Sequence, residues 1–152
     1  MNLRIFIVIL YTWFTGNLFA QSNDCLTATP IDLSTGSACV TGTTVGATSS
    51  GSLYPGCNTQ IVNEVWYTFI TNGTDNDFTV TPSTLTNAEI VIDGTGCADN
   101  IFQTCAAVMG SSTVTDVWNF PPGTQVWIAV ASNQGTEGTF DLCITSVTPP
   151  PA

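Results

Sequence analysis

EVWYTFIT, residues Glu64–Thr71, carries the clearest strand signal in the chain. β-Branched and aromatic side chains alternate along it with period two. This places Val65, Tyr67 and Phe69 on one face and Trp66, Thr68 and Ile70 on the other. Asn72-Gly73 follows at once, the dipeptide favoured in two-residue hairpin turns, and Phe78–Thr81 is expected to return beside the first strand. The same alternation of short strand-forming runs with Gly, Pro, Asn, Ser and Thr clusters extends in both directions. Upstream it predicts a strand over Ala28–Leu33. Downstream it predicts strands over Ala88–Asp93, Ile101–Met109, Thr113–Phe120, Gln125–Ala131 and Gly138–Val147, with Pro121-Pro122-Gly123 as a firm turn. Phe140, Leu142 and Ile144 share one face of the last strand, opposite Asp141, Cys143 and Thr145. Eight or nine short strands at this spacing predict an all-β chain: a single antiparallel β-sandwich of Ig-like or jelly-roll-like type.

Charge narrows the chemistry. The chain holds 11 acidic residues and one basic residue, Arg4, with no histidine, for a formal net charge of −10. Beyond residue 20 there is no lysine, arginine or histidine at all. Nothing can neutralise phosphates, which argues against nucleic acid, nucleotides or an anionic membrane as partners. Without an imidazole there is no Ser-His-Asp or Cys-His nucleophile and no histidine metal site. Stability must therefore come from apolar burial, backbone ladders and disulfides.

Met1–Ala20 reads as a secretory signal: Arg4, an apolar run from Ile5 to Phe14, and Leu18-Phe19-Ala20 before a cut at Gln21. The run is too short for a comfortable membrane span, so no span is expected once it is removed. The domain is expected over residues 21–147, with residues 148–152 as a proline-rich tail or linker. Six cysteines follow the cut, an even number that in an exported chain favours disulfides; no CxxC pair suggests zinc. Six cysteines allow about fifteen pairings. Cys97 with Cys105 is the most local pair, and Cys39 with Cys57 and Cys25 with Cys143 complete one set.

Candidate sites are few. Glu64 and Glu89 stand at the starts of strands, where they read as solubilising edge charges rather than a glycosidase pair. Asp75-Asn76-Asp77 offers alternating oxygen ligands on an expected turn, and Asp93 and Asp99 flank a second oxygen-rich loop. These four carboxylates are the candidate calcium ligands, and calcium is the only cofactor the sequence suggests. Asp and Asn are also good turn residues. Trp66 and Trp127 read as core. Tyr54 beside Pro55, and Trp118, are the aromatics expected to be exposed and able to bind a ligand. Asn72-Gly73-Thr74 matches a glycosylation acceptor but reads first as a turn.

The chain also resembles a family of secreted Cys-containing β-sandwich modules found in Bacteroidetes exoproteins and surface adhesins. Asn23-Asp24-Cys25 with Ala28 and Leu33 is similar to its opening, and Gly46-Ala47-Thr48 with Pro55-Gly56-Cys57 to its GAT and P-x-C elements. Glu64–Phe69 resembles its DVWY-x-F strand, and Gly94–Cys97 followed by Cys105 its G-x-C…C loop. Pro122-Gly123-Thr124 before Trp127-Ile128, and Gly138-Thr139-Phe140 near Cys143, resemble its close. The resemblance implies a non-catalytic module carried beside enzymes or adhesive repeats, often with a type IX sorting domain. Two positions depart from the pattern: Ala106-Ala107 stands where relatives carry an acidic cluster, and Ala129 where they tend to have arginine.

Two functions follow as expectations. The first is an extracellular or cell-surface binding or adhesion module, without catalysis, that contacts protein or glycan, with calcium-dependent carbohydrate binding as a variant. The second is a fibre or pilus-like subunit that pairs with itself, donating its N-terminal strand to an edge left by the Thr-rich stretch Thr41–Ser52. A Cys25–Cys143 bridge within one chain counts against that donation; a Cys25 that pairs elsewhere, or between chains, favours it.

Overall fold

The computed structural model describes residues 21–49, 62–94, 96–97, 104–132 and 134–148; the expected signal segment, Tyr54, Cys57, Asp99 and the tail from residue 149 lie outside them. The described chain is a two-sheet β-sandwich, as the alternation predicts. Its nine strands are β1 (Thr29–Pro30), β2 (Ser37–Thr43), β3 (Val62–Ile70), β4 (Asp75–Pro82), β5 (Ala88–Asp93), β6 (Thr104–Ala107), β7 (Val114–Asn119), β8 (Gln125–Ser132) and β9 (Thr139–Val147). One sheet runs β1-β3-β8-β5-β6 and the other β2-β9-β4-β7. Every pairing is antiparallel except β1 with β3. Among the described residues no helix is long and apolar enough to cross a membrane.

EVWYTFIT shows how the layers form. Val65, Tyr67 and Phe69 enter the space between the sheets and meet Phe78, Ile128 and Phe140 in the main core. Tyr67 packs edge-on against Phe140, with ring centroids 6.4 Å apart. The opposite face is covered at one end: Trp66 joins Cys25, Val91, Ala129 and Ala131 in a smaller cluster on the outside of the sheet. Ile70, at the far end of that face, is exposed.

Asn72-Gly73 is not a hairpin. β3 and β4 belong to different sheets, so this dipeptide carries the chain across the sandwich. The Asn72 and Gly73 amides both donate to the Ser146 hydroxyl, at 2.8 and 3.1 Å, and the Asn72 side chain donates to the Leu33 carbonyl. A Cβ at Gly73 would overlap the Val147 and Thr148 backbone, so glycine is needed for close approach and not for a tight turn. β2 is a strand that the alternation missed. Its inward residues Ala38, Val40 and Gly42 are small, and its outward residues Ser37, Cys39, Thr41 and Thr43 are polar or cysteine, which gives a weak apolar signal. The run expected over Ala28–Leu33 is strand only at Thr29–Pro30, although Ile31 N–H still donates to the Thr68 carbonyl at 2.8 Å. Pro30, whose position bonds away from β3, sits where an edge strand tolerates proline.

The disulfides follow topology instead of sequence distance. Cys39 pairs with Cys143, not Cys57, and Cys25 pairs with Cys97, not Cys143. Cys97 is therefore not bonded to Cys105, which is itself in a disulfide. Cys39 and Cys143 face each other in the β2–β9 ladder although 104 residues separate them. Cys25 sits in a 3-10 turn, Cys25–Thr27, whose amide N–H at Leu26 is capped by Asp24 Oδ1 at 2.9 Å.

Candidate functional site

The two sides of the sandwich differ. On one side β6 and β7 approach each other across the layers, and Ala106, Val108 and Trp118 pack against the core. On the other, two-residue β1 faces seven-residue β2, and the core opens to solvent. The opening is a trough of about 680 Å³ whose apolar wall includes Ile31, Ala38, Val40 and Tyr67. Ala38 and Val40 are only partly buried there, although they face inward.

β2 also presents backbone. Thr44 N–H donates to the Gly138 carbonyl at 2.9 Å, and Ser146 N–H to the Gly36 carbonyl at 2.8 Å, so the even-numbered residues of this segment bond toward β9. The Cα atoms of Cys39 and Cys143 are 4.1 Å apart, the spacing of a narrow, non-hydrogen-bonded pair. Cys39, Thr41 and Thr43 therefore point their N–H and C=O groups away from β9, along the open edge. Thr43 N–H is taken by the Gln21 side-chain oxygen at 3.1 Å, and the Gln21 amide nitrogen donates to the Tyr67 hydroxyl at 3.3 Å. Gln21 thus spans the trough at one end. No partner for the outward amides of Cys39 and Thr41 is found among the described residues.

Gly42 shapes the floor. A Cβ there would overlap the Phe140 ring and the Tyr67 hydroxyl, so glycine lets Tyr67 slide under β2. Burial pushes the Tyr67 phenol up to about 12, against the smaller lowering effect of the Gln21 hydrogen bond. At the rim, exposed Asp32 accepts from the Ser34 amide at 2.8 Å, and that bond holds its carboxyl below the ordinary value. On the outer face Thr41 donates to Asp141 Oδ1 at 2.6 Å.

The other edge is guarded. Ser22 bridges to Trp66, with Trp66 N–H donating to the Ser22 carbonyl at 2.7 Å, and β1 covers Tyr67 and Thr68. The Cys25–Cys97 bond pins this segment to its own sheet. A second crevice, about 530 Å³, lies beside that bond, but Ser22, Asp24, Leu26 and Thr27 already bond one another along it.

The sequence-level candidates fare unevenly. Asp75-Asn76-Asp77 is strand and not turn: Asn76 is fully buried and donates to the Thr74 and Trp118 carbonyls, while Asp75 and Asp77 face the other side. Asp93 is buried at the end of β5 and accepts from Gly96 N–H at 3.2 Å; Asp99 lies outside the described residues. Among the described residues no cluster of three or more acidic or cysteine side chains could hold a metal. Trp118 is half-buried, not exposed, because its strand turns it inward beside Phe120, with ring centroids 6.4 Å apart. Tyr54 lies outside the described residues. Trp66 is core as expected, and Trp127 is partly buried against the smaller cluster.

Glu64 and Glu89 overturn the edge-charge reading. They are 0% and 1% exposed, on the two strands flanking β8, with Glu89 in register with Ala131 and Glu64 in the bulge beside it. Both are engaged in bonding within the protein. Closed off from solvent, they are not open to a substrate.

Fold and edge together define a disulfide-linked β-sandwich domain with one covered and one open side. No protein family and no curated protein matches the chain. Solved structures do. One is the pre-peptidase C-terminal domain of a collagenase from Bacillus anthracis, with TM-score 0.53, 16% identity, and cover of 78% of this chain and 94% of that one. Another is PliG from Aeromonas hydrophila, a periplasmic inhibitor of g-type lysozyme, with TM-score 0.50, 16% identity, and cover of 78% and 95%. At this identity the likeness shows a shared fold.

Proposed function

We propose that this protein is a non-catalytic, extracellular binding module whose site is the open β2 edge and the trough beneath it. The observation that carries the reading is the pairing of outward-pointing backbone at Cys39 and Thr41 with an apolar floor. That is the chemistry of strand addition: main-chain bonds supply affinity, and pockets for alternate side chains supply selectivity. A row of amides and carbonyls suits an extended peptide better than a sugar ring. The two similar structures, a domain beside a peptidase and an inhibitor of an enzyme, support a role in protein contact. The disulfides and the signal-like Met1–Ala20 support export. The motifs shared with Bacteroidetes surface modules point the same way. Cys25 pairs with Cys97 and not Cys143, the outcome expected to favour donation of the N-terminal strand. The bond nonetheless lies within one chain and ties that segment to its own sheet, so fibre assembly by this route is disfavoured.

The test is selection of displayed random peptides on the oxidised protein, with Thr41→Pro as counter-screen. Proline is tolerated where an edge N–H faces solvent, so this variant keeps the β2–β9 ladder and loses only the outward amide and the Thr41 hydroxyl. Extended binders that Thr41→Pro loses are expected. Binders indifferent to it would place the site elsewhere.

A further inference from the structure

We infer that the segment docking on β2 is a basic strand from a different protein, apolar on the side that enters the trough and lysine- or arginine-bearing on the side that faces out. This rests on the open-edge reading above and adds the partner's chemistry.

Register sets the geometry. With Thr43 N–H already held by Gln21 and the Ser37 carbonyl accepting from the Thr35 hydroxyl at 3.1 Å, the edge available is the N–H and C=O of Cys39 and Thr41, enough for a short added strand. In an added strand alternate side chains point to opposite faces. One set would enter between Ile31, Val40 and Tyr67 and complete the half-buried wall there. The other set would lie beside Cys39 and Thr41 on the outer face, within a long side chain's reach of Asp141. Asp32 stands at the rim of the trough.

Charge decides what those side chains are. Every formal side-chain charge beyond residue 20 is negative. An incoming carboxylate finds no cation to meet it, and an incoming lysine or arginine finds only carboxylates. Such complementarity raises on-rates and rejects partners of like charge. It also rejects a second copy of this chain, whose residues beyond 20 carry 11 carboxylates and no lysine or arginine to offer. The tail Pro149-Pro150-Pro151 is unsuited for a further reason: three successive residues lack the N–H that a ladder needs.

The experiment uses three labelled nine-residue peptides in which valine alternates with lysine, serine or glutamate. Affinities are measured by fluorescence anisotropy on the oxidised protein recovered after export, at low and high salt. The lysine peptide is expected to bind at least tenfold more tightly than the serine peptide and to lose most of that advantage at high salt. The glutamate peptide should not bind. Thr41→Pro should weaken both the lysine and serine peptides, while Asp32→Asn together with Asp141→Asn should reduce only the lysine preference. Equal binding of the lysine and serine peptides, both lost with Thr41→Pro, would overturn the charge inference and leave the open-edge reading standing. Lysine-peptide binding that ignores Thr41→Pro would overturn docking at this edge, as would failure of all three peptides. Oligomers forming through β2 at neutral pH would replace the basic partner with a second copy.

Discussion

Replacing Cys39 and Cys143 together with alanine tests what holds the docking strand in place. β2 has a ladder on one side only, and the Cys39–Cys143 bond staples it to β9. The bond closes a loop across a sequence separation of 104. In the chain-entropy treatment a loop of that size constrains the unfolded state by about 4.7 kcal/mol. The Cys25–Cys97 bond overlaps it and provides a shortcut: the chain runs back from Cys39 to Cys25, crosses, and continues from Cys97 to Cys143, about 60 residues in all. The loss expected for the double variant is therefore about 4 kcal/mol. Urea unfolding of the oxidised proteins, followed by tryptophan fluorescence, gives the number. The slope with urea should rise as well, since an unfolded chain with one bridge fewer exposes more surface. Because the released strand is the docking edge, peptide affinity should fall in the same variant. A loss below about 1 kcal/mol with an unchanged slope would refute the reasoning, because the bridge would then constrain the unfolded chain very little.

Four further outcomes are expected. Burial holds the Tyr67 phenol neutral up to about 12 against an ordinary 10, so the stability this contributes is full below pH 10 and lost as pH rises to 12. The loss is up to about 3 kcal/mol, and alkaline unfolding curves of Tyr67→Phe should be flatter. Gly138→Ala would drive a methyl into the Thr84 and Leu85 backbone, costing about 3 kcal/mol in urea unfolding, whereas an alanine at Gly110, with no neighbour within 4 Å but φ of +72°, should cost only about 1. Amide hydrogen exchange along β2 should alternate, slow at Ala38, Val40 and Gly42 and fast at Cys39 and Thr41; uniform protection would mean the edge is covered. At pH 4, close to the isoelectric point of about 4.1, the repulsion between copies should vanish and permit edge pairing, seen as oligomers in sedimentation that Thr41→Pro suppresses.

Much of the fold is legible in the sequence because its longest strands carry their own period. β5 occupies the run Ala88–Asp93 that the alternation marks, and β8 and β9 differ from their predicted runs by one residue. What the alternation could not supply is which strands meet. The Asn-Gly dipeptide after EVWYTFIT has the local chemistry of a hairpin, yet the bonds that place it, from the Asn72 and Gly73 amides to Ser146, come from a strand more than seventy residues away. Disulfide pairing has the same origin. Cys39 meets Cys143 because β2 lies on β9, and no spacing rule along the chain contains that fact. The buried glutamates fail for a related reason: Glu64 and Glu89 read as surface because carboxylates usually are, and their burial is a product of packing that the local sequence does not carry.

The open edge was half visible. Pro30 lies inside a strand-like run and marks it as a short or edge strand. A strand of two residues cannot cover a seven-residue neighbour in the opposite layer, so the trough follows from the shortness of β1 and from a pairing the sequence does not show. Natural sheets usually protect exposed edges with lysine or proline. β2 carries neither, and beyond residue 20 the chain has no lysine to place there. An unguarded edge would normally invite a second copy, so here the protection must come from net charge. The same excess of carboxylates that keeps copies apart is what a basic strand would find attractive, which makes the composition and the open edge two parts of one device.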